Sequence, residues 1–188
     1  MTFDEWLVDL ARRHLANLTP CEVGRALRAL SSCYVERRGK LGTGAALEGA
    51  GKRAAFALFY GVQHFLVIRE IARVLFTDTA AHHDRIVDLG CGTGTAGTSL
   101  ALQTGILRID GYDINPWAVT EANWTYRRFE LRGRATVANV RAVRLPAEGI
   151  VFAAYAVNEL QAEVRRELLG GCIEAHRRGA SILIVEPI

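Results

Sequence analysis

The residues whose types and spacing most clearly serve chemistry are Asp88-Leu-Gly90-Cys-Gly92-Thr-Gly94. Glycines on alternate positions let a backbone turn sharply and approach a ligand closely, because no Cβ stands in the way. Gly92, Gly94 and Gly97 also satisfy GxGxxG, which alone is weak evidence for a dinucleotide. Asp88 separates the possibilities. In a dinucleotide crevice the pyrophosphate lies against helix N-terminal amides, and a carboxylate two residues before the first glycine repels it. A ligand carrying an ammonium group is favoured by that carboxylate, directly or through water. The pattern therefore points to S-adenosylmethionine (SAM), held by Asp88, Gly90, Cys91, Gly92 and Gly94. The alternative is a tight strand-to-helix turn that binds nothing.

Downstream residues extend this site. Asp113 ends a second apolar segment, where an acid can accept hydrogen bonds from both ribose hydroxyls. It can instead cap the helix that begins at Pro116, although Asn115 is better placed to do so. Ile114 and Trp117 border an adenine position, and Trp117 reads equally well as a packing residue. Asn139 follows the third strand; its carbonyl oxygen either accepts from the adenine amino group or serves a turn. Tyr155, near the end of the fourth strand, is assigned to the cofactor side. Asn158 and Glu159 come next and are the candidate catalytic pair, since polar residues beyond an apolar strand face the crevice of an open α/β sheet. Glu159 alternatively occupies the first turn of the following helix, where negative charge is favourable. His64 is a second candidate base, on a helix face where a packed histidine is the commoner outcome.

These residues need a particular scaffold. Strands are expected over 85–89, 106–112, 135–140, 150–157 and 180–185, alternating with helices over 95–104, 116–131 and 159–178. That alternation predicts a Rossmann-like, mostly parallel sheet with helices on both faces. Before it, residues 1–77 read as a helical region, and residues 78–188 as the SAM-binding domain. Thr19-Pro20-Cys21-Glu22 is a capping box, Gly39–Gly51 a loop, 52–76 a long apolar helix, and 78–84 a polar linker. The chain stops just after the fifth strand, and an open apolar strand edge invites association. Truncation, a natural short form, the N-terminal helices, a partner chain or a second copy would each account for that edge.

Composition narrows the classes. The chain has 188 residues, half of them hydrophobic, enough for one full core. It shows no uninterrupted apolar run of the length a membrane span requires, and its N-terminus is acidic where a signal peptide is basic. A cytoplasmic protein that does not enter membranes is expected. The four cysteines are scattered without a CxxC pair, which argues against a disulfide framework or a metal site and for reduced, mostly buried thiols. Net charge is +3, and only Lys40 and Lys52 are lysines. Arg127, Arg128, Arg132, Arg134, Arg141 and Arg144 crowd the third strand, either as an RNA phosphate contact or as a solvated rim.

From Asp88 to Ala96 the chain resembles the SAM loop of class I methyltransferases, and the likeness extends over residues 85–188. With Asn158-Glu159-Leu160, Ile184-Val185-Glu186-Pro187 and the helical lead-in Ala26–Ser31, Tyr34 and Arg37-Arg38, it is similar to methyltransferase-like proteins associated with the small ribosomal subunit. That resemblance implies SAM as cofactor, ribosomal RNA as methyl acceptor and the small subunit as partner. Two features depart from it. The family's cysteine cluster is missing, since only Cys91 and Cys172 lie from the loop onward. The seven-stranded sheet of the class would also be two strands short. A small-molecule methyltransferase and a non-catalytic SAM-binding assembly factor are the competing expectations.

Overall fold

The computed structural model describes residues 1–36, 47–76 and 83–187, without the side chains of 33–36. Most of the glycine-rich loop, the linker over 78–82, Arg37-Arg38 and the side chain of Tyr34 therefore lie outside the described residues. Of the described cysteines, Cys91 and Cys172 are buried and Cys21 is exposed, the last against expectation.

The chain divides into two compact units, Met1–Gln63 and His64–Ile188. In the first, helix α1 (Phe3–Leu15) starts at a capping box in which Glu5 N–H donates to Thr2 Oγ1 and Thr2 N–H to Glu5 Oε2. Trp6 and Leu10 form its buried face. Helix α2 (Pro20–Glu36) opens on the expected box, with Thr19 N–H donating to Glu22 Oε2 at 2.8 Å and Glu22 N–H to Thr19 Oγ1 at 3.3 Å. Helix α3 (Ala50–Ala55) passes through a π-helical turn, Phe56–Gly61, into α4 (Val62–Leu75). The 26-residue run Ala50–Leu75 is long and apolar enough to cross a membrane by length and composition alone, although charged residues interrupt it and no uninterrupted apolar run of that length occurs. Within the second unit its later turns bury Phe65, Ile68 and Ala72 and leave Arg69, Glu70 and Arg73 outward, the pattern of a helix packed on a core.

That packing explains why the unit begins at His64 and not after residue 77. Ser99 Oγ donates to Phe65 O at 2.7 Å, and the Phe65 and Phe129 rings stack at 5.8 Å. The sheet comprises β1 (Arg85–Leu89), β2 (Arg108–Asp113), β3 (Arg132–Val137), β4 (Ile150–Ala154) and β5 (Ser181–Val185). Its order is β3-β2-β1-β4-β5, with every pair parallel. Helix α5 (Thr95–Thr104) joins β1 to β2, α6 (Pro116–Arg128) joins β2 to β3, and α7 (Ala162–Arg177) joins β4 to β5. The predicted Rossmann-like architecture is thus observed. Strand order reverses between β1 and β4, which opens a crevice at the carboxyl ends of these strands.

Several boundaries differ from the sequence expectation. β3 starts at Arg132 and not Ala135, because Arg132 and Arg134 point to solvent from an edge strand and hide its apolar periodicity. β4 ends at Ala154, since Tyr155 turns to φ +58°. Residues Val157–Glu159 then form a separate 3-10 turn, so α7 begins at Ala162. Helix α6 stops at Arg128. The 138–149 crossing from β3 to β4 carries only a 3-10 turn, Val140–Ala142, where a parallel connection usually carries a helix.

Under α7, Val87, Leu89, Val151, Ala153, Leu168 and Cys172 form one buried cluster. Burying each large aliphatic side chain contributes about 1.5–3 kcal/mol. The rigid central strands produced by this packing are what hold the crevice residues in place.

Candidate active site

Gly90, Gly92 and Gly94 all have positive φ, at +70°, +52° and +76°. At Gly90 a Cβ would strike Ala156, and at Gly94 it would meet Tyr126 and Ala122. The loop is therefore clamped between the end of β4 and helix α6. Its backbone is also tied to β2: Gly90 N–H and Cys91 N–H both donate to Tyr112 O, at 2.8 and 3.0 Å. The Cys91 side chain is buried, which pushes its thiol pKa well up and leaves its backbone as the part available to a ligand.

Asp88 is only 1% exposed. Its carboxylate packs so closely on Gly97 that a Cβ there would collide with it, and its Oδ2 has no hydrogen-bond partner. Burial first, then the Asp113 charge, pushes its pKa up to about 8. Direct contact between Asp88 and a ligand ammonium is thus not what the geometry provides. A carboxyl so placed favours its protonated form at neutral pH.

Asp113 sits at the end of β2 and organises the crevice. Its Oδ2 accepts from Gly92 N–H at 3.0 Å and its Oδ1 from Asn115 N–H at 2.8 Å. Asn115, as foreseen, caps α6 by accepting from Trp117 and Ala118 N–H. Burial raises the Asp113 pKa, and the hydrogen bonds from Asn115, Gly92 and Ile114 oppose the rise. Beside it stand two apolar side chains that the fold leaves open, Ile114 at 46% exposure and, in register with Asp113, Val137 at 51%. Trp117 is half-buried on α6.

Beyond β4 the chain turns through Tyr155, whose ring stacks on His64 with centroids 4.0 Å apart. Loss of water holds His64 down to about pKa 4, so it is neutral at physiological pH. Asn158 and Glu159 lie in the 3-10 turn that follows. The first-helix-turn alternative for Glu159 is therefore set aside. Its side chain is exposed, yet surrounding protein still displaces enough water to push its pKa up to about 7, with repulsion from Asp113 and then Glu186 adding to the rise. Those repulsions place Glu159 near Asp113 and Glu186.

The fold thus brings Asp88, Gly90–Gly94 and Asp113 together, with Tyr155, Asn158 and Glu159 at the neighbouring strand end. Asn139 is used differently. It is exposed, and its Oδ1 accepts from Arg141 N–H at 3.0 Å, the turn alternative. Sequence reasoning missed two contributors, Val137 and Glu186. Glu186 Oε1 accepts from Ala156 and Val157 N–H at 3.1 and 2.6 Å, fixing the turn that carries Asn158 and Glu159. An acid directly after the last apolar strand was the available signal.

Arg127 and Arg128 end α6, Arg132 and Arg134 lie on edge strand β3, and Arg141 is paired with Glu167 of α7. Among the described residues, no group of three or more His, Cys, Asp or Glu is arranged to hold a metal.

Known proteins place this geometry. No curated protein matches the chain in sequence. Its backbone is similar to the O-methyltransferase NcsB1 from neocarzinostatin biosynthesis, solved with SAM and 2-hydroxy-5-methyl naphthoic acid, at TM-score 0.60 and 19% identity over 93% of this chain and 56% of that one. It is also similar to the plantazolicin methyltransferase BpumL, solved with SAH, at TM-score 0.53 and 15% identity over 84% of this chain and 57% of that one. A third likeness is to magnesium protoporphyrin IX methyltransferase ChlM from Synechocystis PCC 6803, solved with SAM, at TM-score 0.51 and 19% identity over 61% of this chain and 55% of that one. The chain therefore spans a little over half the length of these proteins. The family model described as "Methyltransferase domain" matches residues 86–179, from β1 through α7, and the chain belongs to that family.

Proposed function

We propose that this chain binds SAM across the β1 and β2 carboxyl ends and transfers its methyl group to a small-molecule nucleophile. One observation carries the cofactor assignment: Asp113 is locked against the glycine loop through Gly92 while Ile114 and Val137 beside it stay open to solvent. This arrangement offers a carboxylate for a ribose and an apolar slot for a flat base. Asp88 and the loop glycines fit the amino-acid end, since an orphaned buried carboxylate is satisfied by a nearby positive charge.

When bound, SAM supplies an electrophilic methyl on a sulfonium. The protein's work is to orient and to manage protons. Glu159, raised to about pKa 7, is set to accept a proton from an acceptor hydroxyl or amine, and Glu186 holds its turn in position. Asn158, next to it, is assigned to orienting the acceptor, and Tyr155 to closing the cofactor side.

The small-molecule acceptor is favoured over ribosomal RNA because Arg141, one of the six arginines, is already bound to Glu167. It also agrees with the backbone likeness to NcsB1, solved with a naphthoic acid. The RNA reading keeps its support from the resemblance in Asn158-Glu159-Leu160, Ile184–Pro187 and the helical lead-in Ala26–Ser31, Tyr34 and Arg37-Arg38. Calorimetry tests the site: SAM should bind the wild type, and Asp113→Ala should weaken it sharply, whereas equal affinities would overturn the assignment. Tritiated SAM offered with metabolite extracts and with small ribosomal subunits then separates the acceptors. Label in extract supports the proposal, label in RNA replaces it, and SAM binding without label indicates a non-catalytic binder.

A further inference from the structure

The short crossing from β3 to β4 leaves a second concave feature on the sheet, away from the glycine loop. Because residues 138–149 form a 3-10 turn and a loop in place of a helix, they run beside α7 and enclose a groove of about 880 Å³. Its walls include Val140, Val143, Leu145, Val164 and Leu168, and none of the crevice residues described above lines it. That volume lies within the range of small-molecule sites.

The charges around the groove are unevenly satisfied. Four guanidinium groups line it, from Arg85, Arg141, Arg144 and Arg178, against two carboxylates, Glu167 and Glu174. Both carboxylates are already engaged. Glu167 receives a bidentate contact from Arg141 at 2.7 and 2.8 Å, and Glu174 is bridged by Arg177. Arg85 is held by Asp110 at 2.8 Å, although its buried Nε finds no acceptor. Arg144 and Arg178 have no ion-pair or hydrogen-bond partner for their side chains among the described residues. The groove therefore offers two uncommitted guanidinium groups beside an apolar wall.

We propose that this groove binds a small molecule carrying a phosphate monoester or diphosphate, seated on Arg144 and Arg178 with its remaining body against Val140, Val143 and Leu145. Guanidinium groups match phosphate oxygens in pairs, and two of them neutralise a doubly charged group that a single carboxylate ligand would leave half used. The apolar wall gives the rest of the molecule a surface that bulk anions do not need. An occupant there braces the 138–149 crossing against α7.

Pyrophosphate titrated into the full chain at low salt is the direct probe. Calorimetry should show one-site binding that weakens with added salt. Affinity should fall about tenfold or more in the Arg144→Ala/Arg178→Ala double variant, as expected for lost charge-assisted hydrogen bonds. The Arg165→Ala/Arg166→Ala pair, which removes equal charge elsewhere on α7, should bind as the wild type does. Circular dichroism and SAM affinity should be unchanged in both doubles. No binding, an equal loss in the two doubles, or displacement of pyrophosphate by saturating SAM would each overturn the proposal. So would tight binding of an oligoribonucleotide with no response to pyrophosphate, which would mark an RNA surface instead.

Discussion

Among the described residues, the acids at the carboxyl end of the sheet have no ion-pair partner, whereas along α7 Glu167 and Glu174 hold arginines and other guanidinium groups are left over. Asp88, Asp113, Glu159 and Glu186 gather around the β1, β2, β4 and β5 ends, and the amides that bond Asp113 and Glu186 are backbone ones. Burial foremost raises the pKa of three of the four, Asp88 and Glu159 to about 8 and 7. Glu167 and Glu174, by contrast, each hold an arginine, and Glu167 is lowered by that contact. Unpaired acids in a concave, partly dry place cost stability, and they are kept where a cationic ligand or a proton transfer makes use of them. Exposed ion pairs cost and contribute little. The difference between the two regions is therefore one of purpose as well as of charge.

The comparison can be broken at its strongest point first. If Glu159 is the base, Glu159→Gln should lower the methyl-transfer rate by about 10²–10⁴-fold. The wild-type rate should fall as pH drops below about 7, where the carboxylate takes up its proton, and the variant should lose that limb. A pH-rate profile unchanged by the substitution would remove Glu159 from the mechanism. Next, Asp113→Ala should weaken SAM binding by about 2–4 kcal/mol, because the carboxylate proposed for the ribose and the Gly92 brace disappear together.

Smaller effects sharpen the contrast. Gly97→Ala forces a methyl group into the Asp88 carboxylate and Ile109, and should destabilise the fold by about 1–3 kcal/mol in denaturant titrations. Asp88 itself has a pH signature. The unfolded chain releases this proton near 3.8 and the folded chain only near 8, so the folded state holds more protons in between. Stability should then be highest below about pH 4 for this group and decline as pH rises to 8. Asp88→Asn should remove that decline, and an identical slope in wild type and variant would show the carboxyl to be satisfied. At the other extreme, Arg141→Ala breaks the exposed pair with Glu167 and should leave the melting temperature close to that of the wild type.

Much of the framework was readable from local pattern. The capping box at Thr19, the Asn115 cap and the five strands follow from short-range hydrogen bonding and alternation, which neighbouring residues decide among themselves. The strand ends were less legible, because polar residues on an edge strand conceal β3 and a non-glycine at positive φ ends β4 early. In the site, the glycines and Asp113 announced themselves by position after apolar strands. Glu186 did not, since its partners Ala156 and Val157 lie 30 and 29 residues away in the chain. The pairing of Arg141 with Glu167, 26 residues away, lay beyond local pattern in the same way.

By itself, the sequence determined that a parallel sheet would carry a glycine loop between β1 and α5, with acids at the strand ends. Those are local consequences of hydrophobic period, backbone freedom and the preference of apolar strands for the interior. Only the tertiary structure decided what each acid does. It buried Asp88 against Gly97, joined Asp113 to Gly92, and brought Glu186 under the turn that carries Glu159. It also paired Arg141 with Glu167. The physical reason is that pKa and hydrogen-bond partners depend on what surrounds a group in space, and strand order alone sets which distant segments become neighbours.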